Sequence, residues 1–176
     1  MSPFITDKHL PPISFPIRDE VTLEERTTAI EFVNCHNFIF EEFDHAKMIA
    51  TFLPDAVIYH PHGSVRGLSE MKPFLENVYG FFIPGISHNA TNHIVDRDVD
   101  GGLIVRYKET LIRYGWTGDD EAAFDRVEVP RTDGLPAIWW TGTVIDRLRM
   151  ADDGWRVFER YVGRSFRNAN LDAQNE

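Results

Sequence analysis

Along residues 22–43, "TLEERTTAIEFVNCHNFIFEEF", the apolar positions Leu23, Ile30, Val33, Phe38 and Phe40 predict a helix. Thr22, followed three residues later by Glu25, gives that helix a capping box. After a break, "DHAKMIATF" predicts a second helix, ended by Pro54 and Asp55, and "AVIYHPHG" a short strand running into a turn. "LSEMKPFLENVYGFF" predicts a third helix with Ser69 as its N-cap. The pattern then changes to period 2. Strands are predicted over 87–95, 103–114, 137–149 and 155–163, with "DVDGG" and "ADDGW" as hairpin turns. Three helices followed by antiparallel strands is an α+β order.

The rest of the chain divides around this body. Residues 1–20 hold four prolines and no helical period, so they predict an extended arm. Residues 21–166 form the domain and 167–176 a tail. The polar stretch 115–136 is long for a connection without regular structure and reads as a lid.

One strand conflicts with its own pattern. "ISHNATNHIVD", residues 86–96, carries two histidines and two asparagines. In strict alternation His88, Ala90, Asn92 and Ile94 share one face, and Asn89, Thr91, His93 and Val95 the other. Neither face is purely apolar, which suits a wall of a ligand-filled cavity better than a dry core.

Composition narrows the function. A chain of 176 residues, 43% apolar and 26% charged, fits one soluble globular domain. A net charge of −10 argues against nucleic acid or an anionic membrane as partner. No apolar run reaches the ~20 residues that span a bilayer, and the first residues do not read as a secretory signal, so a cytoplasmic location is expected. Cys35 is the only cysteine and reads as a small core residue; an intrachain disulfide framework and a multi-cysteine zinc site are excluded. His60 and His62 have the spacing of a strand zinc pair, but no third ligand matches, so no metal is expected and His62 reads as a turn residue. The chain has no GxGxxG, P-loop, HExxH or GxSxG, so nucleotide cofactors and nucleophilic catalysis lack support, and no cofactor is expected.

The order of "FDHAKMIATFLPDAVIY", the third helix, "SHNATNHIV" and the closing "IDRLRMADDGWRVFERYV" resembles SnoaL-like proteins of the nuclear transport factor 2-like superfamily, over roughly residues 22–165. The resemblance implies a curved antiparallel sheet wrapped by about three N-terminal helices into a cone around one apolar pocket. Scytalone dehydratase, ketosteroid isomerase, polyketide cyclases and limonene epoxide hydrolase share that shape, as do non-enzymatic members, so residues must decide function. Set beside the dehydratase branch, its helix acid falls on Glu41, its pocket tyrosine on His60 and its strand histidine on His88. Its second histidine falls on Tyr114, a departure that weakens dehydration of the same substrate.

His88 is the leading proton-transfer candidate, with Glu41 fixing its tautomer and Tyr114 or His60 polarising a substrate oxygen. His93, in the other phase, reads as structural. On strand 137–149 the resemblance makes Trp140, Gly142, Val144, Asp146 and Leu148 the cavity face, with Gly142 leaving room for a ligand beside Trp140. Trp140, Asn92, Asp146 and Tyr59 are the candidate substrate contacts. Asp146 has a competing reading as the ion-pair partner of Arg106, Arg147 or Arg160, and the two tryptophans a competing reading as core. Trp139, Thr141, Thr143 and Ile145 would then form the opposite sheet face, which a homodimer or higher oligomer would cover. These expectations converge on a cofactor-independent cyclase or isomerase acting on a small apolar polyketide or terpenoid intermediate of secondary metabolism. A dehydratase and a non-catalytic binding or assembly module are the alternatives.

Overall fold

The computed structural model describes residues 20–61, 63–79, 85–116, 119 and 128–172. Nearly all of the proline-bearing arm, His62, the expected end of the third helix, much of the 115–136 insertion and the end of the tail lie outside the described residues.

Helix α1 (Leu23–Glu42) begins at the expected capping box. The Thr22 hydroxyl accepts from the Glu25 N–H at 3.2 Å, and the Glu25 carboxylate accepts from the Thr22 N–H at 2.9 Å. Its inward stripe is Ala29, Val33, His36, Asn37 and Phe40. Leu23 and Phe38 face solvent instead, and Cys35 is exposed; the phase of the helix gives the inward position to its neighbour His36. Phe43, in a left-handed conformation, ends α1, and Asp44 caps the short α2 (His45–Ala50).

The second helix stops sooner than expected. Strand β1 (Phe52–His60) already contains Pro54, which falls where its pairing to the neighbouring strand is interrupted between Phe52 and Val57. A proline is tolerated there because no ladder donor is required. A four-residue β2 (Gly63–Arg66) folds back on β1, where the sequence suggested only a turn. In α3 (Gly67–Asn77) the cap is Arg66, whose N–H is accepted by the Glu70 carboxylate at 2.7 Å, so Ser69 lies in the first turn rather than at the cap.

The strands β3 (Ile86–Arg97), β4 (Leu103–Arg113), β5 (Ala137–Ala151) and β6 (Gly154–Arg167) complete a six-stranded sheet in the order β2-β1-β6-β5-β4-β3. Only β1 and β6 run parallel. Helix α1 lies across the concave face, and Ala29, Val33 and Phe40 join Val95, Leu103, Val105, Leu148 and Val157 in the core. Among the described residues, no helix is long and apolar enough to cross a membrane.

Bulges bend the sheet and change which side chains face inward. In β3 the pairing slips between Thr91 and Ile94, and Asn92 takes a left-handed φ of 56°. The extra residue reverses the alternation. Asn92, expected inside with His88, is exposed; Ile94 turns to the outer face opposite Arg106; Val95 enters the core and His93 stacks on Tyr107 at 5.7 Å. A second slip, in β5, places Trp139 as the extra residue of the β4–β5 register, between Ile138 and Trp140. Trp139 is therefore buried beside its neighbour and not on the outer face, as the simple alternation required. On that outer face Ile104 and Ile145 are buried within the single chain, packed with Tyr161. Arg147 stands nearby, ion-paired to Asp98 and Glu159.

Candidate active site

The concave face, α1 and α3 enclose a cavity of about 240 Å³. Its sheet wall is built in rows of cross-strand neighbours. One row is His88, Leu111, Trp140 and Arg167; the next is Ala90, Glu109, Gly142 and Ser165; a deeper one ends in Asp146 and Arg160. Aromatic side chains from the helices and loops, Phe40, Phe74 and Tyr79 among them, close the opposite side.

The floor is a closed polar network. Arg160 donates from Nε to Asp146 Oδ1 and from Nη2 to Asp146 Oδ2, both at 2.7 Å, and Tyr107 donates its hydroxyl to Oδ2 at 2.9 Å. His36, fully buried, faces Arg160 through Nε2 at 2.5 Å and Thr51 through Nδ1 at 2.8 Å. Burial and the Arg160 charge hold its imidazole well below the usual histidine range, so it is neutral. Asp146 thus takes the ion-pair reading, with Arg160 as its partner. Both its oxygens are consumed, it is 0% exposed, and it is not part of the cavity lining.

Above that floor two side chains, Glu109 and His88, keep polar atoms without a hydrogen-bond partner. Glu109 lies between Ala90 and Gly142, two residues too small to cover it. Its Oε2 receives only a long 3.4 Å contact from Asn37, and Oε1 has no hydrogen-bond partner. Burial pushes its carboxyl up to about 8 against the pull of Arg160, so most of it is protonated at neutral pH. His88, diagonal to Glu109 across β3 and β4, has no partner on either ring nitrogen. Burial, then Arg160, pushes its imidazole down to about 3, so it is neutral. Buried polar atoms are normally paired. Two such groups facing one apolar cavity are the mark of a place for a polar ligand atom.

The other expected residues are placed as follows. His60 and Trp140 line the cavity, His60 edge-on to Phe74 and Tyr79. Glu41 reaches His88, but at its backbone: Oε1 accepts the His88 N–H at 2.6 Å and the Ser87 hydroxyl at 3.3 Å. It accepts from the backbone of β3, at the edge of the sheet, and does not hydrogen-bond the imidazole, so it does not set the tautomer. Tyr114 follows β4, its N–H given to Gly85 at 2.8 Å, and is not part of the cavity lining. Tyr59 stacks on Tyr161 at 4.8 Å on the outer face and is not a cavity residue. Gly142 makes room, but for the protein: a Cβ there would come within 2.5 Å of the Trp140 ring. Among the described residues no group of three His, Cys, Asp or Glu is placed to hold a metal.

Glu109 is the residue the sequence reading passed over. It had a signal: in "LIVRYKETLIR" the positions 103, 105, 107, 109 and 111 are Leu, Val, Tyr, Glu and Leu, a carboxylate in the inward phase of a strand. The even-numbered phase, which leads to Tyr114, faces outward.

The α+β cone thus holds an apolar cavity faced by a buried carboxyl with one unpartnered oxygen and by a neutral imidazole without partners. The sequence profile of the SnoaL-like domain matches residues 21–161, and the chain belongs to that family. Its fold is also that of solved structures. Aln2 from a Streptomyces species is 17% identical with a TM-score of 0.65, over 81% of this chain and 92% of that one. A proposed scytalone dehydratase from Novosphingobium aromaticivorans is 19% identical with a TM-score of 0.61, over 88% and 97%. A protein of unknown function with a cystatin-like fold from Nostoc punctiforme is 17% identical with a TM-score of 0.63, over 82% and 93%. No curated protein sequence matches the chain.

Proposed function

We propose that the protein is a cofactor-independent acid–base enzyme that moves a proton on a small, mostly apolar natural-product intermediate, isomerising or cyclising it. The observation that carries this reading is the buried Glu109 carboxyl, one oxygen unpartnered, facing an apolar cavity diagonal to the unpartnered His88 imidazole. A carboxyl near 8 is matched to proton transfer close to neutrality. When ionised, Glu109 takes a proton from carbon beside a substrate carbonyl; carrying that proton, it returns it elsewhere on the molecule. His88, neutral and hard to protonate, serves as the hydrogen-bond donor to the oxygen where charge develops. The roles therefore differ from those expected from sequence, where His88 moved the proton. The apolar walls exclude water and strengthen both interactions.

A dehydratase is the second reading. It is favoured by the same carboxyl being largely protonated at pH 7, able to give its proton to a leaving hydroxyl, and one fold neighbour is a proposed scytalone dehydratase.

Exchange of the α-protons of 2-tetralone in D2O, followed by proton NMR, tests the leading reading without the native substrate. Wild type should accelerate exchange, more so as pH rises toward 8. Glu109→Gln should lose ~10²–10⁴-fold of that rate. Full exchange activity in the variant would remove Glu109 from the mechanism. No acceleration by wild type, with 2-tetralone bound, would favour a non-catalytic carrier.

A further inference from the structure

Two donors on the inward side of β6 have no role in the proton transfer. Ser165 and Arg167 stand two residues apart near the end of the strand, and both line the cavity. The Ser165 hydroxyl is engaged by no described residue. Arg167 meets Asp172 through Nη2 and Oδ2 at 3.3 Å, and its side chain is 42% exposed, which sets it at the cavity rim. A guanidinium presents five N–H donors in a planar fork, so this one contact leaves most of them unused. The other guanidinium in the lining, Arg160, is consumed by Asp146, Tyr107 and His36.

Their position relative to the reacting groups is fixed by register. Ser165 closes the row that runs from Glu109 through Gly142, and Arg167 closes the row that runs from His88 through Trp140. Two strand spacings, roughly 10 Å, separate the backbones of Glu109 and Ser165. Between them lie the bare backbone of Gly142 and the Trp140 ring that packs over it. A flat one- or two-ring body laid on Trp140 spans that interval.

We propose that Ser165 and Arg167 anchor a carboxylate on the substrate, with its ring body on Trp140 and its reacting carbon at Glu109; this rests on the acid–base reading of the site. The Arg fork matches a carboxylate in geometry and charge. An acid that is mostly uncharged at neutral pH, as Glu109 is, does not repel such a ligand. Asp172 is the competing anion. It also accepts from Trp139 Nε1 at 2.8 Å through its other oxygen, so it ties the rim arginine to the cavity wall.

The test is binding of 2-naphthoate and of its uncharged analogue 2-naphthamide at pH 7 and 0.15 M salt, by calorimetry and by tryptophan fluorescence. Wild type should bind 2-naphthoate at least tenfold more tightly. Arg167→Met should bring the two affinities within about twofold while that for 2-naphthamide is kept, which also reports an intact cavity. Asp172→Asn, which still accepts from Trp139, should tighten 2-naphthoate binding. Equal affinities in wild type, a preference that survives Arg167→Met, or no binding of either probe would overturn the anchor. Glu109→Gln should keep the preference while losing proton exchange, so failure of the anchor and failure of the acid–base reading are read separately.

Discussion

Glu109 shows how one side chain acquires its chemistry from its neighbours. Ala90 and Gly142 flank it in the sheet, leave its carboxyl in an apolar space, and supply no hydrogen bond. The cost of burying it charged appears as a carboxyl raised from 4.5 to about 8. Linkage makes this measurable. Between those values the folded chain holds a proton that the unfolded chain has lost, so the contribution to stability is fully present below 4.5 and is lost as pH rises through 8. Glu109→Gln lacks that dependence. Urea denaturation should therefore show the variant gaining stability relative to wild type as pH goes from 5 to 9; a constant difference would mean the carboxyl is not raised. The residue was legible in the alternation of its strand, but an acid among apolar neighbours is as readily taken for a solvated position unless the phase is followed. His88 was legible from its strand, and its lack of partners was not, because that depends on three other elements.

At the scale of elements, the helix start at Thr22, the hairpin at "ADDGW" and the long strands followed from local chemistry. The bulges did not. One extra residue in a strand leaves little trace in composition, yet it decided that His93 and Trp139 point inward and Asn92 outward. The trace that existed was Asn92 itself, since asparagine tolerates the left-handed conformation that the bulge requires. Asn92→Val should cost about 1–2 kcal/mol in chemical denaturation, and Asn92→Gly much less. Equal losses for both would show that the side chain, not the backbone, matters there. Strand β1 beginning before Pro54 was hidden for a related reason: the irregular pairing that accommodates a proline is a property of the partner strand.

For the whole molecule, the resemblance to SnoaL-like proteins carried the cone, which no single element specifies. The cone places two neutral histidines, His36 and His88, in its interior, and both are held below their ordinary value by burial. Unfolding restores their affinity for protons, so their contribution is present above pH 6.5 and is lost at lower pH, that of His88 as pH falls toward 3. The protein should lose stability over that window, and His88→Gln should move the acid-unfolding midpoint, followed by circular dichroism, to lower pH. No movement would place His88 in contact with solvent.

The proposed chemistry depends on one acid, buried in an apolar cavity and kept protonated until mildly alkaline pH. Carbon-13 NMR of the Glu109 side-chain carboxyl, assigned by its loss in Glu109→Gln, measures this in the folded protein without any substrate. A titration midpoint near 8 is the expected result. A midpoint near the ordinary 4.5 would contradict it.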